Sequence, residues 1–302
     1  MRHRRFGKTD WQVSEIGHGM WGMGSWADSD DDRSLEALQL SVDSGCTFFD
    51  TAWAYGDGRS EVLLGRLLRQ NPDKRLYTAT KIPPKNRQWP SVRGAQLDDV
   101  FPADYIREYV QRSLENTGVD HYDLMQFHVW EDAWAKDEGW IRAVDDLKAE
   151  GLISGMGISI NRWESWNGIQ TVKSGHIESI QVIYNIFDQN PEDELFPVCR
   201  ENDVAIIARV PFDEGILTGN LTKESTWPDV LKEIVPGGMT LPEMALRFIL
   251  NNPDVTTIIP GMRKLNHVTS NCAASDAGPL PEELYKVLRA HRWDRVPTEW
   301  SY

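Results

Sequence analysis

Four side chains with titratable groups stand at or just beyond the ends of short apolar runs. Asp50 closes Thr47-Phe48-Phe49-Asp50, Lys81 closes Tyr77-Thr78-Ala79-Thr80-Lys81, and His128 closes Leu124-Met125-Gln126-Phe127-His128. Tyr55 follows in the segment Thr51-Ala52-Trp53-Ala54-Tyr55-Gly56. A carboxylate, a phenol, an amine and an imidazole are groups that transfer protons in enzymes. Each is costly to bury at the end of an apolar strand without a partner. Singly, each has a plainer reading: Asp50 as a cap, Lys81 as a rim charge, His128 as a satisfied core histidine. Their recurrence on successive units demands an architecture that gathers strand ends.

Short β-like runs alternate with longer helical ones. Strands are expected at 46–50, 76–81, 122–127, 154–159, 179–183, 204–208 and 256–259, with another near 16–19. Several are apolar on both faces, as parallel strands are when helices cover one side and a core fills the other. Arg5-Phe6 and residues 13–16 suit an opening hairpin. Leu35, Leu38 and Val42 follow helical spacing, with Gly45 as the stop. Leu63, Leu64, Leu67 and Leu68 form a second stripe, with Ser60 as its expected N-cap. Thr240-Leu241-Pro242-Glu243 has capping-box spacing. Further helices are expected near 103–117, 139–150, 162–173, 191–202 and 265–274, and residues 210–239 read as a long functional loop.

About eight strand–helix units with no break in composition favour a single (β/α)8 barrel domain over residues 1–302, with an N-terminal hairpin and long βα loops. The rival is a doubly wound sheet with a second domain. It would use G-x-G-x-x-G after the first strand, and Gly17-His18-Gly19-Met20-Trp21-Gly22 has that spacing. Met23-Gly24-Ser25-Trp26 follows, however, and not an apolar helix.

The 302 residues carry 32 Lys+Arg and 46 Asp+Glu, a formal net charge of −14, which opposes nucleic-acid binding. With 40% apolar and 26% charged residues, the composition is that of a folded globular protein. Cys46, Cys199 and Cys272 lie far apart, which excludes a disulfide scaffold, argues against a zinc site and suits a reducing compartment. No run approaches roughly 18 apolar residues, so no membrane span is expected. Lys8-Thr9-Asp10 interrupts the basic N-terminus where a signal peptide needs an apolar core, and a cytoplasmic protein is expected.

The motifs together resemble the aldo-keto reductase family. Phe49-Asp50-Thr51-Ala52, Tyr55-Gly56-Asp57-Gly58-Arg59-Ser60-Glu61 and Leu64-Gly65 are similar to its signature around a catalytic aspartate and tyrosine. Thr80-Lys81 and Asp123-Leu124…His128 are similar to its lysine and histidine segments. The likeness continues through Gly157-Ile158-Ser159, Gln181-Val182…Tyr184-Asn185, Arg209-Val210-Pro211…Gly215-Ile216-Leu217-Thr218-Gly219 and Ile259-Pro260-Gly261, nearly the whole chain in order. The resemblance implies a barrel that binds a nicotinamide cofactor without a Rossmann domain. It implies a tetrad in which Tyr55 gives a proton, Lys81 lowers the phenol's pKa, Asp50 holds Lys81, and His128 orients the substrate carbonyl.

The resemblance also implies a cofactor site. Ser159 and Gln181 match positions that bond the nicotinamide carboxamide, with Asn161 one residue displaced from the usual place and Met20 and Trp21 beside it. Arg209 stands where many relatives have a stacking aromatic. Val210, Pro211, Phe212, Gly215, Leu217 and Gly219 would present a turn to the pyrophosphate. Gly261, Arg263, His267 and Asn271 belong to the segment that meets the adenosine 2′-phosphate. The usual lysine, serine and arginine there are altered, while Arg263 and Lys264 can compensate, so NADP(H) is expected to be preferred and NAD(H) accepted. Trp21, Trp89 and Trp130, with Tyr55 and His128, are expected to line the pocket of a small carbonyl or sugar substrate; Trp11, Trp163, Trp166 and Trp300 read as structural. The residues leave three roles open: a carbonyl reductase, a sugar or polyol dehydrogenase working oxidatively, and a cofactor-binding regulatory subunit. Oligomeric state is not legible.

Overall fold

The chain enters through a hairpin of β1 (His3–Arg5) and antiparallel β2 (Gln12–Ser14). The computed structural model describes residues 1–24, 30–161, 164–219 and 227–294. Eight strands follow in a parallel sheet: β3 (His18–Gly19), β4 (Phe48–Asp50), β5 (Tyr77–Ile82), β6 (Tyr122–Phe127), β7 (Ile153–Ser159), β8 (Ser179–Ile183), β9 (Ala205–Arg209) and β10 (Val255–Ile258). Each pairs with its neighbour in chain order, and bridges from Ile16 to Ile258 and from Gly19 to Gly261 bring the two edges together into a (β/α)8 barrel. The seam explains Gly19. A Cβ on Gly19 would stand 2.5 Å from the Ile259 carbonyl oxygen, so only glycine allows the closing strands to approach.

Helices join the strands: α1 (Asp31–Asp43), α2 (Arg59–Gln70), α3 (Leu97–Val100), α4 (Ala103–Thr117), α5 (Glu138–Ala149), α6 (Ile169–Ser174), α7 (Leu195–Glu201), α8 (Trp227–Ile234), α9 (Leu241–Leu250), α10 (Leu265–Asp276) and α11 (Glu282–Arg289). Thr240 caps α9, accepting from the Glu243 N–H, while the Glu243 carboxylate accepts from Arg247. Three expectations need correction. Gly58, in a left-handed conformation, precedes α2, and Ser60 lies inside the helix, where its hydroxyl bonds Thr51 and the Met20 carbonyl. The helix expected at 162–173 is only α6, with residues 162–163 outside the described residues. The stretch 210–239 holds a kinked 3-10 turn at Asp213–Thr218 and α8, with residues 220–226 outside the described residues.

Side chains alternate between the two faces of each strand. Phe48, Tyr77, Ala79, Leu124, Ala205 and Ile207 point inward and meet Phe6 and Val13 of the hairpin region in one apolar cluster. The other face carries Phe49, Met125, Met156, Ile180 and Ile206 into a larger cluster with helix residues such as Leu38, Leu64, Val110 and Phe248. Asp50, Lys81, Gln126 and Arg209 share the inward parity, and register places Gln181 opposite Ile207 and Ser159 opposite Gln181. The polar residues therefore form a layer on the interior face, further toward the strand C-termini than the apolar cluster.

Candidate active site

Lys81 is fully buried and organises this layer. Its Nζ donates to Asp50 Oδ1 and, at 2.7 Å, to the Thr51 carbonyl. It stands 5.2 Å from the centre of the Tyr55 ring. Asp50 Oδ2 accepts two amides as well, Gln126 Nε2 at 3.0 Å and Gln181 Nε2 at 2.9 Å. Tyr55 and His128 meet edge to face with ring centres 5.7 Å apart, and Trp89 meets His128 in the same way at 5.9 Å.

Two pKa shifts follow. Burial pushes the Tyr55 phenol up; the Lys81 ammonium and Arg209 oppose this, and Asp50 adds to it. The net direction is upward, contrary to the lowering expected from Lys81, because desolvation of the phenolate is the larger effect. Burial, then Lys81 and Arg209, hold His128 well below the usual histidine range. His128 is a neutral imidazole whose buried Nδ1 makes no hydrogen bond within the described residues.

A cavity of about 510 Å³ opens over these groups. Tyr55, His128, Ser159, Asn161, Gln181 and Arg209 all line it. So do three tryptophans, differently placed. Trp21 is 61% exposed and Trp89 40% exposed at the rim. Trp130 is buried among Phe127, Trp134 and Trp140, its indole N–H held by Thr171 Oγ1 at 2.8 Å, and contributes to the wall. Of the tryptophans read as structural, Trp11 packs on the inner cluster, Trp166 is exposed beneath the Arg93 guanidinium, and Trp163 and Trp300 lie outside the described residues. Asn161 turns its amide to Glu164, donating at 2.8 Å and accepting the Glu164 N–H at 2.9 Å. Arg209 donates to the Ile160 carbonyl at 3.0 Å.

After β9 the backbone turns sharply. Val210, Asp213 and Glu214 all have positive φ (53°, 46° and 57°), as does Gly215 at 105°. Such conformations are costly for non-glycine residues and cluster at ligand sites. The turn is anchored by fully buried Leu217, by Phe212 packed on the core, and by Asn185 Nδ2 donating to the Val210 carbonyl at 3.1 Å. Pro211 lies within it, and Gly219 ends it in a left-handed conformation. Met20 is buried in the core. Gly261 ends the barrel seam; Arg263 is half-buried, His267 exposed and Asn271 buried on α10. Apart from Glu214, none of these residues lines the cavity described above. Gln126 and Glu214 escaped the sequence reading. Gln126 shares strand parity with His128, and Glu214 sits in the Phe-Asp-Glu-Gly turn and reaches the cavity.

The sequence model of the aldo/keto reductase family matches residues 15–292. The chain belongs to the aldo/keto reductase family. An oxidoreductase of Bacillus subtilis (strain 168), YqkF, is 30% identical over 96% of each chain. The NADH-specific methylglyoxal reductase of Escherichia coli (strain K12) is 27% identical over 95% of this chain and 99% of its own. Among solved structures, the holo form of an aldo-keto reductase from Bacillus halodurans superposes with a TM-score of 0.83, at 27% identity and over 100% of both chains. This aldo/keto reductase is accordingly an NAD(P)-dependent oxidoreductase acting on carbonyl groups. Its residues fit such a cofactor: a Cβ at Gly215 or Gly261 would meet nothing within 4 Å, leaving open backbone beside the strained turn and at the strand end before α10. Among the described residues, no helix is long and apolar enough to cross a membrane.

Proposed function

We propose that this aldo/keto reductase reduces the carbonyl of a small aldehyde, ketone or sugar to the alcohol, with NADPH preferred over NADH. When bound, the cofactor supplies the hydride. The observation that carries the reading is the placement of the buried Lys81 ammonium between Asp50 and Tyr55, with His128 edge-on to the phenol.

Tyr55 is the proton donor. Its raised pKa keeps it protonated at neutral pH, the state an acid catalyst needs. Lys81 stabilises the phenolate left after transfer, and its bonds to Asp50 and the Thr51 carbonyl hold it in place. A neutral His128 can donate one N–H to the carbonyl oxygen without competing as an acid. Trp21 and Trp89 flank the entrance and favour a flat or ring-bearing substrate.

Arg263 and Lys264 stand at the N-terminus of α10, where a helix favours an anion, and would receive the 2′-phosphate of NADPH. Gln181, Ser159 and Arg209 would receive the nicotinamide end, with Asn161 beside them once it leaves Glu164. The test is turnover of a panel of aromatic aldehydes, ketones and sugars, followed at the nicotinamide absorbance with NADPH and NADH in parallel. Turnover of carbonyls with either cofactor is expected, faster with NADPH. Tight cofactor binding without turnover across the panel would favour a non-catalytic role instead.

A further inference from the structure

A second, smaller cavity lies beside the first, and the proton path makes no use of it. It measures about 210 Å³, and its lining includes the rings of Trp53, Trp89, Tyr105 and Tyr109 with the charged groups of Asp57 and Arg87. Ala54 and Trp89 line the larger cavity as well. Ala54 precedes Tyr55, and Pro83 follows Lys81 by two positions, so the segments that carry the phenol and its ammonium also build this wall. Trp89 is the partition: it meets His128 edge to face on the side of the larger cavity and bounds the smaller one too.

The rings are held in place. Tyr105 and Tyr109 stand one turn apart on α4 with ring centres 4.3 Å apart, and Trp53 meets Tyr109 edge to face at 4.9 Å. The Arg112 guanidinium lies over the Tyr109 ring at 5.0 Å. Asp57 and Arg87 are exposed and both have positive φ, 49° and 55°, a backbone state that is uncommon for arginine and gathers at ligand sites. No ion pair joins the two, and neither side chain bonds another described residue. A carboxylate only accepts hydrogen bonds and a guanidinium only donates them. A cation would be drawn to Asp57 and repelled by Arg87, and an anion the reverse. A neutral ring bearing hydroxyls serves both, because each hydroxyl donates and accepts. The aromatic walls favour a ring with an apolar face. A pyranose has both features, C–H bonds on its faces and hydroxyls around its edge.

We propose that the smaller cavity is a subsite for a neutral sugar ring. The substrate is then a glycosylated carbonyl compound, its reacting carbonyl at Tyr55 and His128 and its pyranose behind Trp89. The inference rests on the carbonyl-reduction reading above and narrows its substrate class.

The test compares kcat/KM with NADPH for three aldehydes. They are 4-methoxybenzaldehyde, 4-(β-D-glucopyranosyloxy)benzaldehyde and 4-(cyclohexyloxy)benzaldehyde, the last a ring of like size without hydroxyls. The 3-linked isomers are run alongside. The better glucoside is expected to exceed its methoxy counterpart at least about tenfold, through KM, as one charge-assisted hydrogen bond would give, and the cyclohexyl ether by less than about threefold. No gain for either glucoside, or an equal gain for the cyclohexyl ether, would overturn the proposal, and this arm needs no variant. Arg87→Asn removes the guanidinium but keeps a residue that tolerates positive φ, and Tyr105→Leu removes one aromatic wall. In each, the ratio of glucoside to methoxy kcat/KM should fall at least about threefold; taken within one protein, the ratio is blind to a general loss of activity. A wild-type ratio in either variant counts against the proposal. If NADPH binds but no aldehyde is turned over, the reduction reading itself fails and takes this inference with it. That result is distinct from turnover without preference for the glucoside.

Discussion

Lys81 and Asp50 form an ion pair buried on both sides, with Lys81 one pleat beyond the residue, Ala79, that lies opposite Asp50 in the sheet. Removing one partner of such a pair strands a charge in the interior and typically costs about 3–5 kcal/mol, whereas removing both can cost much less. Asp50→Leu and Lys81→Met are each expected to destabilise the fold by that order. The double variant should fall short of their sum by at least about 2 kcal/mol. A denaturant-unfolding cycle measures this, and simple additivity would show that the two charges are not coupled.

Tyr55→Phe removes one oxygen from a ring held between Lys81 and His128, leaving the aromatic contact with His128 available. Turnover should fall at least about 10²-fold, the scale of lost general-acid catalysis, with NADP⁺ affinity unchanged. Near-normal turnover in a folded variant would remove Tyr55 from the role of proton donor.

The pH profile should carry the two shifts. The raised Tyr55 pKa keeps the acid form present through neutrality, so carbonyl reduction should stay level there and decline only at alkaline pH, above the usual tyrosine value. Alcohol oxidation, which needs the phenolate, should rise with pH over the same range. His128 is held well below the usual histidine range, so no limb near pH 6.5 is expected from it. Lys81→Met removes a charge that lowers the phenol's pKa and should move the alkaline limb further up. An alkaline limb that stays in place would show that Lys81 does not tune Tyr55.

The barrel was legible because β4, β5, β6 and β9 are short, largely apolar runs with a polar residue at or next to their ends (Asp50, Lys81, His128 and Arg209), and such runs keep their signal whatever surrounds them. The facing of each strand was less legible. With both faces apolar, no alternation marks the inside, so Gln126 looked like any strand residue until its register with Gly157 and Lys81 was known. Ser60 shows a different loss: the serine is a good N-cap by type, but Gly58 supplies the left-handed turn two residues earlier and frees the hydroxyl to tie Thr51 to Met20. Trp130 follows His128 closely enough to suggest a pocket residue. Its ring is nonetheless shared between the cavity wall and the Trp134–Trp140 cluster, a packing that depends on α5 and α6 arriving beside it.

His18 links the fold to pH. It is fully buried on β3, its Nδ1 paired with Ser41 Oγ at 2.7 Å and its Nε2 without a partner, and burial pushes its pKa down to about 3. The unfolded chain takes up this proton near pH 6.5, the folded one only near the lower value, so acidification favours unfolding between the two. Its contribution is whole above pH 6.5 and declines below it, by about 2 kcal/mol at pH 5. His18→Asn should lose correspondingly less stability between pH 7 and pH 5. Unfolding curves at the two pH values measure the difference, and equal losses in both proteins would contradict the assignment.

The choice of cofactor turns on a dianion, the 2′-phosphate, whose burial needs cationic or hydrogen-bonding partners. In a chain of net charge −14, Arg263 and Lys264 are adjacent cations at the start of α10. Arg263 is the better placed, being half-buried while Lys264 is exposed, and its stem lies 3.9 Å from where a Cβ on Gly22 would be, beside the turn after β3. A planar guanidinium can meet a phosphate with two hydrogen bonds, where an ammonium acts as a point charge. Losing a charge-assisted contact costs about 1.5–3 kcal/mol, or one to two decades of affinity. Arg263→Ala should therefore weaken NADPH by that much and leave NADH nearly unchanged, while Arg263→Lys should restore only part of the loss. Equilibrium titrations of both cofactors measure the effect. Equal weakening of NADPH and NADH, or a wild-type protein that binds NADH more tightly, would take the phosphate away from Arg263.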